Sequence, residues 1–378
     1  MKKHLLATTA MVAAGILAAN TAAAQTTPIQ LKVGGYMEQW VGWSWVDSKY
    51  SGQNDINDLD VQMDAEIHFT GRTTLDNGLT FGVNVQMEAE GSNSSTDTVD
   101  EAYLFVRGDF GEILLGSENG AAYAMHYGLG SHGTGLDSGD LSNWIVGTDF
   151  ALHTTSNFAR RDNDSNKIRW ISPRMSGVQV GLSWAPEATQ DDDGFPQEVS
   201  GLAATGDNDR LRNEEGVAAG AINYDNKFGS TRIRASLGGQ YFTDSNQNGD
   251  EPWTVAAGLR VGFGAFEVGA AYSLENDVGF TIDSRQVLGG SVTYADGPIG
   301  VSFNVTYGVN DSAVAGTGDD TQWGAELGGK YKLRPGVEAR GSLFYANRDE
   351  GVSGPVPAGQ SNGDTQGFAL VGGIRLVF

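Results

Sequence analysis

The chain of 378 residues has no cysteine, so neither a disulfide scaffold nor a thiolate metal site can be built from it. Proline is scarce, 9 residues beside 54 glycines, which excludes a proline-rich linker; glycine is also far too infrequent for a collagen repeat. Basic residues are few, 24 Lys and Arg against 47 Asp and Glu, and the net charge of −23 argues against a nucleic-acid partner. The five histidines (His4, His68, His126, His132, His153) show no metal or triad spacing, and there is no G-x-S-x-G element. After the first two dozen residues no run of about 18 apolar residues occurs, so no transmembrane helix is available.

Residues 1–24 are set aside from the fold. Lys2 and Lys3 make a basic start, 5–19 is an apolar run, and "TAAAQ" (21–25) supplies small residues, the pattern of a secretory signal cleaved after Ala24. Cleavage there removes two lysines and no acid, taking the net charge to about −25. Residues 25–378 then form a single domain.

What the chain has in abundance is alternation. In "LDVQMDAEIHF" (59–69) Leu59, Val61, Met63, Ala65, Ile67 and Phe69 take every odd position, with Asp60, Gln62, Asp64, Glu66 and His68 between them. An extended chain sends successive side chains to opposite faces, so one face is apolar and the other charged. The same period of two runs through 31–46, 79–90, 178–184, 299–309 and 322–333. Short turns rich in Gly, Asp, Asn and Pro, such as "LDNG" (75–78), "GFGA" (262–265) and "ADGP" (295–298), alternate with long polar loops. Sixteen strands fit this layout, among them 58–73, 215–225, 252–262 and 366–378. An even count is what an up-and-down barrel needs when both chain ends lie on one side.

The apolar stripe faces either a core or lipid. A closed sheet of sixteen strands has a lumen too wide for side chains to fill, so water fills the middle and the apolar parity is left for hydrocarbon. Aromatics on that parity cluster near strand ends (Trp43, Trp45, Trp170, Trp184, Trp253, Tyr294, Tyr307, Tyr345), the placement of interfacial girdles. The expected fold is all-β, a 16-stranded antiparallel transmembrane β-barrel. A secreted β-sandwich that binds glycans is the alternative from another class.

The segment "DEAYLFVRGDFGEILLGSENG" (100–120) and the terminal Phe378 resemble bacterial general porins, with the closest likeness to porins of alphaproteobacterial type. The resemblance implies a homotrimer of barrels in the cell outer membrane, in contact with outer-membrane lipid and lipopolysaccharide. It implies recognition of Phe378 by the barrel-assembly machinery, and a long third loop folded into the lumen. The function implied is passive diffusion of small hydrophilic solutes and ions, without catalysis; a substrate-selective channel of the same fold is the variant reading.

The longest connection, 119–165, corresponds to that constriction loop, and the resemblance makes Asp137, Asp140 and Asp149 its acidic candidates. If the odd residues of 59–69 face lipid, Asp60, Asp64 and Glu66 point into the lumen, joined by Glu88 and Glu90. Lys167, Arg169, Arg232, Arg234, Arg260 and Arg340 would face them, and charges held across a narrow aqueous gap order water and penalise apolar solutes. The acidic excess then predicts cation preference. "GLGSHG" (128–133) fits a dinucleotide fingerprint by letter but opens no helix after a strand in a βαβ unit. No cofactor is expected, although "DNDS" (162–165) and "DDDG" (191–194) leave room for a weak structural Ca²⁺ in loops.

Overall fold

Alternation this regular lets a strand present hydrocarbon to one side and polar groups to the other without breaking its ladder of backbone hydrogen bonds. The computed structural model describes residues 29–48, 56–89, 99–135, 140–148, 159, 162–188, 215–244, 252–279, 282–314, 317–351 and 364–378. The signal segment 1–24 lies outside the described residues.

The first eight strands are β1 (Leu31–Ser48), β2 (Ile56–Thr74), β3 (Thr80–Glu88), β4 (Val99–Gly108), β5 (Gly111–Ser117), β6 (Asn166–Ile171), β7 (Val178–Glu187) and β8 (Glu215–Phe228). The second eight are β9 (Thr231–Asp244), β10 (Trp253–Phe263), β11 (Phe266–Gly279), β12 (Ile282–Asp296), β13 (Ile299–Ser312), β14 (Asp320–Arg334), β15 (Val337–Glu350) and β16 (Thr365–Val377). Each pairs antiparallel with its neighbours in sequence, and β1 pairs with β16 to close a barrel, with Trp40 opposite Gly373 and Tyr36 opposite Val377. The sixteen strands match the expectation; their ends run up to four residues beyond it, as at Phe228 and Gly279, while β3 stops three residues short, at Glu88. Gly229 and Gly264 take left-handed backbone angles (φ 59° and 61°) in two of the tight turns, a conformation that strains any residue with a Cβ.

The two faces are sharply sorted. Leu59, Val61, Leu182, Leu288, Phe303 and Leu370 stand out from the barrel, exposed between 52% and 66%. The alternate positions are buried and polar: Asn304 and Glu326 are fully covered, and Ser302, Thr306 and Ser342 nearly so. The inside-out pattern is that of a barrel in lipid, with water and a loop inside. Aromatics gather at both ends of the outer face: Phe266 meets Tyr294 with ring centroids 5.0 Å apart at the short-turn end. Tyr345 and Phe368 meet at 4.9 Å, and Tyr307 and Trp323 at 4.6 Å, toward the long-loop end.

Candidate functional site

The connection from β5 to β6 turns into the barrel. Its root is held by β6. The Lys167 ammonium donates to the Glu118 carbonyl and, at 2.6 Å, to the Ser165 carbonyl, so one cation ties the loop's entry to its exit. Arg169 pairs with the Glu118 carboxylate and donates to the Asn119 carbonyl at 2.6 Å. The Ser117 hydroxyl donates to the Asp164 carbonyl. Asp162 is fully buried and accepts from the Gln240 amide; burial pushes its carboxyl above the usual carboxylate range, with Lys167 opposing. Glu118 is likewise raised by burial and opposed by Arg169 and Lys167. In "DNDS" the Lys167 ammonium takes the Ser165 carbonyl, one of the oxygens a Ca²⁺ would use there; "DDDG" lies outside the described residues.

Beyond a single helical turn, Ala121–Ala124, the loop follows the inner wall across one strand after another. Its backbone amides donate to wall hydroxyls: Ala121 to Ser183 (2.9 Å), Tyr127 to Ser236 (2.8 Å), Gly130 to Ser291 (3.2 Å), His132 to Ser302 (2.9 Å) and Thr134 to Ser342 (2.8 Å). Its carbonyls accept from the wall at Met125, from Asn223 at 3.0 Å, and at Gly128 and Leu129, from Arg260. The track ends on Glu326, whose carboxylate accepts from the Gly135 amide (3.2 Å), the Ser131 hydroxyl (2.9 Å), the Ser342 hydroxyl (2.6 Å) and the Asn304 amide (3.2 Å). A buried carboxylate is tolerated when so many donors converge on it. Gly133 lies against Glu326 and Ser342 with no room for a Cβ.

Burial and the Arg260 guanidinium push the His126 imidazole down to about 4. His132 is lowered by burial, then by Lys330 and Arg340.

A second short helix, Asp140–Trp144, brings Leu141, Trp144 and Ile145 against Trp40, Val46, Phe344, Ala346, Ala369 and Val371 on β1, β15 and β16. Gly42 accommodates the Trp144 ring, and Arg348 donates to the Gly147 carbonyl at 3.2 Å. The described loop therefore lines the wall from β7 round to β1.

Of the predicted acidic residues, Asp64, Glu66 and Glu88 lie on the remaining arc. The Tyr36 hydroxyl lies 3.0 Å from an Asp64 carboxylate oxygen and 2.8 Å from one of Glu66, and His68 Nε2 is 2.6 Å from the other Glu66 oxygen. Oxygens of Glu66, Glu88 and Asp100 lie within 4.8 Å of one another, close enough to share a cation. Glu101 adds a nearby carboxylate, holding the Gln86 and Asn119 amides. Asp60 is exposed at the long-loop rim, bonded to Gln62 at 3.0 Å. Asp140 begins the second short helix. Glu90, Asp137 and Asp149 lie outside the described residues.

The predicted bases do not form one cluster. Lys167 and Arg169 hold the loop root, as above. Arg232 makes a two-point contact with Asp225 (2.7 and 2.5 Å), Arg234 and Arg260 share Glu267, and Arg340 chelates Glu338 (3.0 and 2.7 Å). The last four lie toward the short-turn ends of β9, β10 and β15. Reading charge alone misses the wall serines and Glu326, which fix the loop. Their signal is a serine on the polar parity with glycine or alanine one or two residues before it, in "GLSW", "RASL", "GGSV", "GVSF" and "GSLF".

A family model described as Gram-negative porin matches residues 7–351. The chain is 23% identical over 393 residues to a monosaccharide porin of a Halomonas species, spanning 95% of this chain and 99% of that protein. The same figures hold for a major outer membrane protein of Halomonas elongata. Among solved structures, a porin covers 92% of this chain and 100% of its own length at 19% identity, with a TM-score of 0.55, a likeness of fold.

Proposed function

The chain belongs to the Gram-negative porin family and forms an outer-membrane channel, and from that premise we propose that it passes small hydrophilic solutes by diffusion with a preference for cations. The observation that carries the preference is where the loop lies. It lines the wall from β7 to β1, so the permeation path runs beside β2–β4, where Asp64, Glu66, Glu88, Asp100 and Glu101 concentrate negative charge. Carboxylates around a constriction raise the local cation concentration and repel anions. No bond is made or broken; selectivity comes from charge and aperture. The test is the reversal potential of the reconstituted channel under a KCl gradient. A potential of the sign expected for K⁺ supports the reading, and one of the opposite sign overturns it.

A sugar-selective channel is the second reading, favoured by the Halomonas relative named a monosaccharide porin. Sugars stack on open aromatic faces, and here two of the inner aromatics are already covered. The Arg107 guanidinium lies 4.2 Å from the Phe105 ring centroid, and Arg375 lies 4.9 Å from that of Tyr36. Diffusion by size and charge therefore takes precedence. Liposome swelling with glucose and with an uncharged amide of similar size separates the two, since only a sugar track favours glucose.

The barrel works as a trimer in lipid and lipopolysaccharide on this reading. Val33 and Val41 on the outer face of β1 are exposed at 66% and 51% and suit a subunit contact as well as they suit hydrocarbon.

A further inference from the structure

Near the short turns, which face the periplasm in this class of barrel, the inner wall carries an arrangement that sheet stability disfavours. Lys227 stands directly opposite Arg232, Arg234 opposite Arg260, and Lys330 opposite Arg340. Like charges in directly opposed cross-strand positions repel and destabilise the pairing. Each pair is relieved by one acid: Asp225 bonds Arg232, Glu267 bridges Arg234 and Arg260, and Glu338 holds Arg340. Each group of two cations and one carboxylate thus keeps one surplus positive charge. Lys332, opposite Glu338 at the rim, adds a further one to the third group. Among the described residues neither the Lys227 nor the Lys330 ammonium makes a hydrogen bond, so both have donors to offer. The fold tolerates three repulsive pairs on one half of the lumen wall, on β8–β10 and β14–β15, from the level where Arg260 holds the docked loop down toward the short turns.

We propose that this vestibule is a holding site for multivalent oxyanions, solutes bearing two or more phosphate or carboxylate groups, entered from the periplasmic side. One surplus charge at each of several points around a wide mouth holds a monovalent anion weakly. Arg232 and Arg234 share one face of β9 two residues apart, so an anion with several charges engages the two groups of β8–β10 together and gains at each, while the β14–β15 group is a separate station on the wall. The carboxylates of β2–β4 lie farther from the short turns and repel it, so it lodges and obstructs the cation path instead of crossing. The channel is therefore polar along its axis. This inference rests on the chain being an open channel, as proposed above.

The test uses the full-length channel in planar bilayers, with inorganic pyrophosphate as probe. Because the chain has no cysteine, Asn77→Cys in the β2–β3 turn, reacted with a bulky impermeant thiol reagent from one compartment, identifies the periplasmic side. Pyrophosphate added on that side is expected to reduce K⁺ current at concentrations at least several-fold lower than on the other side. The double variant Lys227→Gln/Lys330→Gln is expected to weaken that block several-fold while retaining its heat-modifiable gel band, since the Gln side chains break no described hydrogen bond. Higher KCl is expected to weaken the block in the parent more than in the variant. Equal block from both sides, or a variant blocked like the parent, overturns the proposal. Absence of any conductance would instead overturn the channel reading beneath it.

Discussion

Gly133 and Glu326 lie 193 residues apart in sequence and in contact in space, so close that the carboxylate occupies the place of a Cβ on Gly133. The loop's tip thus rests on the wall through its backbone, and the fit depends on the absence of a side chain. Gly133→Val is expected to lift the 128–135 segment into the lumen, giving a smaller and noisier unitary current. Single-channel recording checks this, and a current like that of the parent would show that the tip is held elsewhere.

The wall hydroxyls are acceptors for loop amides that are shielded from water. Ser342→Ala strips the Thr134 amide of its partner and removes one donor from Glu326. Leaving a buried donor unpaired costs about 1–3 kcal/mol. The expected result is a lower unfolding temperature in detergent, accompanied by more frequent current fluctuations. Ser302→Ala should act in the same direction, and the double variant should depart from additivity because both serines hold one segment.

Acid should loosen the middle of the loop. The docked His126 imidazole has its pKa lowered to about 4, whereas a released histidine titrates near 6.5. Between those values the released loop binds a proton that the docked loop does not, so docking is fully stable above about pH 6.5 and weakens as pH falls toward 4. At the root the sign is opposite. Glu118 and Asp162 are raised by burial, so acid favours their docked, protonated forms. Channel fluctuations are expected to increase between pH 6.5 and pH 4 in the parent and to lose that pH dependence in His126→Asn.

Selectivity should follow the acidic arc. Replacing Glu66 and Glu88 together by glutamine removes two of the three carboxylates whose oxygens converge. The K⁺ over Cl⁻ permeability ratio is expected to fall about two-fold or more, a shift corresponding to roughly 0.4 kcal/mol or more. An unchanged reversal potential would place the selecting charges outside β2 and β3.

The two faces of β14 make a direct comparison. Leu327 points outward, 53% exposed, in the middle of its strand. Lysine there is expected to destabilise the protein in lipid by about 2–4 kcal/mol if it sits near the bilayer midplane. Lysine at the inward-facing Gly324, two residues from buried Glu326, should change conductance before it changes stability. Unfolding titrations in lipid vesicles and current recordings check both.

The lipid-facing stripe is legible because every member of it must be apolar: Leu59, Val61 and Met63 share one requirement and repeat it. The loop's path is less so, because the wall asks only for a small hydroxyl at the right height. Ser183 and Ser342 look like ordinary polar-parity residues until the strand tilt aligns them. Charged residues are the hardest to place. Arg169 and Arg232 both read as lumen bases, yet one clasps the loop root while the other lies near a periplasmic turn, because each is drawn to whichever acid its register brings near. The contacts of Tyr36 with Asp64 and Glu66 depend on the pairing of β1 with β2, which neither strand's own pattern states.

Gly35 and Phe378 exchange both backbone hydrogen bonds, at 3.0 and 3.1 Å, and so seal the seam between β1 and β16. The first strand has to wait for the sixteenth, and until they meet each presents an unsatisfied edge that hydrocarbon will not accept. Insertion must therefore be concerted or chaperoned.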